Sequence, residues 1–344
     1  MGDTIIRHHR HDGIDRRGFL KCMAWVGTGV VCVVDGGILS SRVLGAPARL
    51  PGVGSGHVGR GAGGGFSFAQ ISDSHIGFSK EANRDVVATL QLAVDKLNAL
   101  PAQPDFVIHT GDLSHLSKPE EFDTLDQVLR GLKVRQVFFV PGEHDVIEDD
   151  GRLYRQRFAR GTRGDGWFSF DHNGVHFVGL VNVLDLKAGG LGTLGHEQLE
   201  WLEGDLKPLR SSTPVVVFAH IPLWTVYPQW GWGTEDSAQA LAYLKRFGSV
   251  TVLNGHIHQV LQKVEGHVSF HTACSTAFPQ PAPGAATSPG QMKVPEGRLR
   301  SVLGVRDVTF VAGNRTLAVV DAALAQAGWP QAGASTHDPA SLAG

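Results

Sequence analysis

The chain is expected to fold as a layered α/β sandwich, with two mixed β-sheets packed together and flanked by helices. Three observations lead there. Short β-type apolar runs alternate with stretches of helical periodicity from residue 66 to residue 253, which calls for parallel strands joined by helical crossovers. Beyond that point the runs come in pairs joined by turn residues, which adds antiparallel edges. With 344 residues, 42% of them hydrophobic, there is enough apolar side chain to bury a sizeable core.

Residues 66–71 form the first expected strand. Over 81–100, Val86, Val87, Leu90, Ala93, Val94 and Leu97 recur at helical spacing on one face, which predicts an amphipathic helix. Residues 105–109 make a second buried strand. Pro119, followed by Glu120 and Glu121, opens a second helix that runs to residue 132, because proline fits the first turn and acids there complement the positive helix start. A third strand covers 136–140. Runs 167–170 and 175–181 flank Asn173-Gly174, a pair that tolerates the left-handed backbone of a two-residue hairpin. A helix is expected over 196–209, a strand over 215–219, a helix over 236–247 and a strand over 250–253. The closing β pairs are 259–264 with 268–272, and 308–311 with 316–320, the latter joined through Gly313-Asn314. Residues 276–300 hold five prolines and read as a long irregular loop.

The two ends differ in composition from this body. Asp15-Arg16-Arg17-Gly18-Phe19-Leu20-Lys21 precedes a moderately apolar run over 22–34 and then Ala46-Pro47-Ala48. A charged start, a short apolar core and small residues at the end describe an export signal over 1–48. The paired arginines resemble the twin-arginine signal, which implies a periplasmic protein exported in folded form. Eight glycines within 51–65 make 49–65 a flexible linker. A single domain over 66–322 follows, and an Ala/Gly/Pro/Ser bias predicts a disordered tail over 323–344. With Cys22 and Cys32 in the signal, the mature chain keeps only Cys274, so neither an internal disulfide nor a Cys-x-x-Cys metal site is available. A formal net charge of −2 without a basic stripe argues against a nucleic-acid polymer as partner. No uninterrupted apolar stretch reaches about 18 residues, which argues against a stable membrane span.

Chemistry concentrates in five short segments: Asp73-Ser74-His75, Gly111-Asp112, Gly142-Glu143-His144-Asp145, His220 and Gly255-His256-Ile257-His258. Nearly every one follows an expected strand, so the side chains would gather along one sheet edge. Asp73 and His75 are two apart at a strand end, as are His256 and His258, and alternate residues of extended backbone point to the same side. Glycine before the donors lets the chain turn sharply beside a crowded site. Imidazole and carboxylate donors together suit zinc, iron or manganese better than magnesium or calcium. One such histidine alone is most simply a buried, hydrogen-bonded side chain; the ordered set asks for a common purpose. His115, His172, His176, His267 and His271 lie outside these segments and read as ordinary.

In this order the segments resemble the calcineurin-like metallophosphoesterases, whose pattern is Asp-x-His, Gly-Asp, Gly-Asn-His-Asp/Glu, a lone His and Gly-His-x-His, over about 66–276. Ile71-Ser72-Asp73-Ser74-His75, His109-Thr110-Gly111-Asp112 and Cys274-Ser275-Thr276 look most like the branch containing bacterial class III cyclic-nucleotide phosphodiesterases. The resemblance implies a phosphoester hydrolase with two metal ions. Asp73, His75 and His258 would hold the first, Asp112 would bridge, and Glu143, His220 and His256 would complete the second. It further implies a hydroxide shared by the ions as nucleophile, His144 as general acid, and Asp145 as the partner orienting the His144 imidazole. Where the family usually has asparagine this chain has Glu143, one methylene longer and negatively charged. That residue is expected to keep the second ion at reduced activity or altered metal preference, unless its length displaces the ion.

Rival chemistries lack their motifs. The Gly-x-Ser-x-Gly elbow and the phosphate loop are missing, and His196-Glu197-Gln198-Leu199-Glu200 lacks the second histidine of a zincin. The expected substrate is a small phosphoester, a diester before a monoester; Glu143 leaves open a catalytically weak metal- or phosphate-binding protein. Trp224, Tyr227, Trp230 and Trp232, after His220, either stack on a base or pack as a hydrophobic flap. Asn182 and Asp185 either face the pocket or cap the core edge.

Overall fold

A computed structural model of the protein describes residues 30–35, 38–43, 65–295, 297–311, 317–326 and 329. Within the stretch expected to be an export signal, β1 (Val30–Asp35) and β2 (Ile38–Val43) pair antiparallel as a sheet of their own. The rest of that stretch, and the linker up to residue 64, lie outside the described residues.

The body consists of two mixed sheets, as the alternation of patterns predicts. The first contains β3 (Phe66–Ile71), β4 (Val107–Thr110), β5 (Val137–Val140), β12 (Gly304–Phe310) and β13 (Ala318–Ala323), in the order β13-β12-β3-β4-β5. Strands β3, β4 and β5 are parallel, and β12 and β13 are added antiparallel. The second contains β6 (Phe168–His172), β7 (Val175–Gly179), β8 (Val215–Phe218), β9 (Val250–Asn254), β10 (Gln262–Glu265) and β11 (Val268–Thr272), in the order β10-β11-β9-β8-β7-β6. Its four middle strands are parallel and its two edges antiparallel.

Side chains alternate between two destinations along these strands. In β3, Phe66 and Phe68 enter the layer between the sheets, while Ala69 and Ile71 meet the helices; in β8, Val216 and Phe218 point inward and Val215 and Val217 outward. The interlayer is rich in phenylalanine. Phe68 stacks on Phe106 at 5.2 Å and meets Phe177 edge-on at 5.3 Å, contacts worth roughly 0.5–1.5 kcal/mol each beyond area burial. Helices α1 (Val86–Asn98) and α2 (Pro119–Leu129) cover the first sheet. Two short helices were not anticipated, α3 (Arg152–Phe158) and, near the end, α6 (Leu299–Val302). Helices α4 (His196–Leu206) and α5 (Ser237–Leu244) cover the second sheet.

Several boundaries shift for identifiable reasons. Helix α1 starts five residues later than expected because Asn83 Oδ1 accepts from Asp85 N at 2.9 Å and Asp85 caps the helix through Ala88 N, also at 2.9 Å. Val87, expected on the buried face, is 38% exposed; it sits one position off the stripe of Val86, Leu90, Ala93, Val94 and Leu97. The hairpin at Asn173-Gly174 has positive φ at both positions, 47° and 82°, as that dipeptide predicts. Gly313-Asn314 lies outside the described residues. The expected tail begins too early: β13 runs to Ala323, Lys96 Nζ donates to Gln326 O at 2.7 Å, and Trp329 packs against the core under α1. Residues 330–344 are not described. Among the described residues no helix is long and apolar enough to cross a membrane.

Candidate metal centre

All seven expected donors follow C-terminal ends of parallel strands: Asp73 and His75 after β3, Asp112 after β4, Glu143 after β5, His220 after β8, and His256 and His258 after β9. Packing the two sheets face to face brings these ends to one edge, the usual place for a site in such topologies. The local geometry corrects the spacing argument. Asp73, His75, Asp112, His256 and His258 have φ of 54°, 43°, 52°, 68° and 53°, left-handed rather than extended backbone. Each such non-glycine residue costs on the order of 1 kcal/mol or more. The strain is held by the layer itself: Asp73 N donates to Gly111 O at 3.0 Å and His75 N to Asp112 O at 2.9 Å.

Four side chains form the first donor set. His258 Nε2 lies 3.3 Å from Asp73 Oδ1 and 3.2 Å from His75 Nε2, which is 3.4 Å from Asp112 Oδ2. In the second set, Glu143 places one oxygen 2.8 Å from His220 Nε2 and the other 3.0 Å from His256 Nδ1. Asp112 Oδ2 is also 3.5 Å from His220 Nε2, so one carboxylate faces both sets. Glu143 therefore reaches both His220 and His256 despite its extra methylene.

The donor atoms fit cations and little else. His220 Nδ1 donates to Thr110 O at 2.7 Å and His258 Nδ1 to Phe278 O at 2.6 Å, which leaves the lone pair of each Nε2 aimed into the site. Asp73 Oδ2, Glu143 Oε2, His220 Nε2 and both ring nitrogens of His256 are buried without a partner in hydrogen-bond geometry. Orphaned polar atoms cost about 1–3 kcal/mol apiece, and here they converge. Burial opposes the charges of Asp73 and Glu143, yet the neighbouring His258 and His220, and His256 and His220, hold both carboxyls below their usual range. Burial pushes His75 well below the usual histidine range, so it offers a neutral imidazole.

Small residues make room for this convergence. Gly111 has φ of +92°, and a Cβ there would run into the His220 ring; a Cβ on Gly142 would overlap the Asp112 carboxylate.

His144 sits in a 3₁₀ turn, Glu143–Asp145. Its N–H donates to Asp112 Oδ1 at 2.9 Å and its Nδ1–H to His115 O at 2.7 Å, which leaves Nε2 free. Burial works against its protonation, but Asp112 and Glu143 raise its pKa above the usual value. The expected pairing of Asp145 with His144 is not what the structure has. Asp145 accepts from Leu113 N at 3.0 Å, Gly142 N at 2.9 Å, and Ser114 N and Oγ at 2.8 Å each. With three residues per 3₁₀ turn, Asp145 swings back beneath Gly142 while His144 faces elsewhere. Asp145 thus ties the Asp112 loop to the Glu143 turn, and burial beside Asp112 pushes its pKa up to about 7.

Other residues escaped the sequence reading. His115 stacks on His144, and its position three residues after Asp112 in the same loop was the available signal. In the proline-rich loop Gln280 Nε2 donates to His256 O at 2.8 Å, and just before it Ser275, part of the Cys274-Ser275-Thr276 segment, donates through Oγ to Asp73 O at 2.8 Å. Trp224, Trp230 and Trp232 are buried against the second sheet, so the flap reading holds for them. Asn182 Nδ2 donates to Ile221 O at 2.8 Å and Thr234 Oγ1 at 2.9 Å, bracing the chain behind His220. Asp185 is exposed and paired with Lys187. Burial pushes the Cys274 thiol up to about 12, which leaves it inert.

The sequence pattern of the calcineurin-like phosphoesterases matches residues 66–260. A 3',5'-cyclic-nucleotide phosphodiesterase of Nostoc sp. is 30% identical over 221 residues, covering 62% of this chain and 79% of that protein. The serine/threonine-protein phosphatase CPPED1 of Danio rerio is 28% identical, covering 56% of this chain and 70% of its own. The crystal structure of a dimetal phosphatase from Danio rerio shares the fold, with a TM-score of 0.53 at 16% identity over 74% of this chain and 98% of that one. The chain therefore belongs to the calcineurin-like phosphoesterase family and is a hydrolase acting on phosphoester bonds.

Proposed function

We propose that the chain hydrolyses small phosphodiesters with two transition-metal ions drawn from zinc, iron and manganese. The observation that carries this is the pair of donor sets joined through Asp112. Asp73, His75, Asp112 and His258 would hold one ion, and Asp112, Glu143, His220 and His256 the other. Such ions, when bound, polarise a phosphoryl oxygen and bring the pKa of a shared water towards neutrality. His144 is the proton donor to the leaving alkoxide. Its Nδ1–H is engaged by His115 O, so Nε2 is the atom left to carry the transferable proton. Asp145 supports the turn that presents it.

Charge favours a diester. The two sets contain three carboxylates, from Asp73, Asp112 and Glu143, contributing −3 against +4 from two divalent ions, or +1 with neutral histidines. Asparagine in place of Glu143 would make that sum +2. Among the described residues, no lysine or arginine is hydrogen-bonded or ion-paired to these side chains. A singly charged diester suits such a site better than a doubly charged monoester. Similarity to a cyclic-nucleotide phosphodiesterase supports the same reading, and similarity to a phosphatase supports the monoesterase alternative.

After strict chelation, hydrolysis of bis(p-nitrophenyl) phosphate should stop, return on adding one of the three metals, and exceed that of p-nitrophenyl phosphate. A faster monoester would select the phosphomonoesterase reading. Bound metal without turnover of either ester would select a binding protein.

We also propose that residues 1–48 direct export to the periplasm by the twin-arginine route, on the strength of Arg16-Arg17, the apolar run and the small residues after it. Replacing both arginines by lysine should retain the precursor in the cytoplasm; unchanged fractionation overturns this.

A further inference from the structure

His115 contacts two working histidines at once. Its ring lies parallel to that of His144, with centroids 4.8 Å apart and 15° between planes. Its carbonyl accepts the His144 Nδ1 proton at 2.7 Å, and its own Nδ1 is 3.5 Å from Nδ1 of His75. Phe78 abuts the His115 ring edge-on at 5.2 Å and 88°. The backbone beneath is fixed as well, since His115 N–H is shared between Ile76 O at 2.8 Å and Glu121 Oε2 at 3.2 Å. The two donor sets do not use this residue, and the fold does not need a histidine for the backbone bonds it makes.

We propose that His115 is a positioning residue whose ring holds the His144 imidazole at the angle from which Nε2 protonates the leaving group. This rests on His144 being the proton donor. The bond to Cβ and the Nδ1 hydrogen bond fix one edge of the His144 ring and His75 meets it edge-on at 4.8 Å, but neither packs along its face, so the ring can still tilt. A parallel aromatic face, itself wedged by Phe78, removes the freedom. Proton transfer depends steeply on alignment, and a small misplacement of a reacting group can cost up to about a hundredfold in rate.

The test uses the metal-loaded protein and two diesters that differ in their leaving group: methyl 4-nitrophenyl phosphate, which needs little proton donation, and methyl phenyl phosphate, which needs much. His115→Ala should lower kcat for the phenyl ester about tenfold with little change in KM, and for the nitrophenyl ester no more than about twofold. His115→Phe, which keeps a flat ring, should recover most of the loss. In a His144→Ala background, adding His115→Ala should have no further effect, because nothing is left to orient. Equal losses on both esters, additive losses in the double variant, or loss of metal on His115→Ala would each overturn the proposal. Failure of the parent reading looks different: His144→Ala itself would then show no dependence on the leaving group, which overturns both.

Discussion

The two donor sets are enclosed differently. Asp73, His75, Asp112 and His258 are each 2% exposed or less, whereas the side chains of Glu143 and His256 are 24% and 12% exposed. The strand order accounts for the openness of Glu143, though not for that of His256, which follows the interior strand β9 as His258 does. The first set draws on β3, β4 and β9, which lie inside their sheets, while Glu143 hangs from a 3₁₀ turn beyond the edge strand β5. The lesson is a division of labour: one set is shaped by the fold before any cation arrives, and the other stays open on the side where substrate and solvent approach. The first should hold its ion tightly and the second should exchange.

The hardest blow to this comparison is struck at the residue both sets share. Asp112→Ala should release both ions and cut activity by about a thousandfold or more, some 4 kcal/mol of barrier; metal analysis showing both ions retained would mean the sets are independent. Next, His258→Ala and His256→Ala should separate the sets in the metal-free protein. Removing His258 takes away the nearest imidazole of the buried Asp73 carboxylate, leaving it the His256 backbone N–H at 3.1 Å and His220 at 3.9 Å, and should cost about 3 kcal/mol in chemical denaturation, whereas the more exposed His256 should cost about 1 kcal/mol or less. Equal losses would erase the distinction.

Glu143→Asn sharpens the comparison. Losing one negative charge should weaken the second ion about tenfold in equilibrium dialysis, leave the first untouched, and raise monoester hydrolysis relative to diester hydrolysis. No change in that ratio would remove the charge argument for diesters.

The smallest effect belongs to a histidine outside both sets. Burial opposes charge on His176, but the hydrogen bonds it donates to Asp205 at 2.9 Å and Asp171 at 2.8 Å raise its pKa above the usual 6.5. Its folded value exceeds its unfolded one, so its contribution is complete below about pH 6.5 and fades as pH rises through the folded value. His176→Gln should therefore cost about 1 kcal/mol near pH 5.5 and almost nothing near pH 9. Histidines that hold a cation would give the opposite sign, because cations bind neutral imidazole and lose it as pH falls. A His176 variant whose penalty grows with pH would contradict this.

Much of the frame was legible because it is local. The runs that became β3, β8 and β9 are apolar enough to be buried on both faces, and Asn173-Gly174 fits its turn wherever the flanking strands go. Helix α3 escaped notice because its seven residues are half charged or polar and begin after a left-handed Gly151. The beginning of the tail was misjudged because composition does not reveal that Lys96 and the α1 core wait for Gln326 and Trp329. In the site, donor types and order were plain, but the left-handed backbone of five ligands leaves no mark in residue identity. The same holds for Asp145: a carboxylate beside His144 looks like its partner until the turn directs it to four donors from other residues.

By itself, the amino-acid order determined which atoms can donate to a metal, which strands carry them, and that helices alternate with those strands. Only tertiary structure decided that they meet. His220 is oriented by a carbonyl 110 positions away in the other sheet, and His258 by Phe278 in a loop with no regular structure. Donor identity is a property of single residues and their near neighbours. The distance between donors depends on how two sheets pack, and that follows from the shape of a buried aromatic layer rather than from any short stretch of chain.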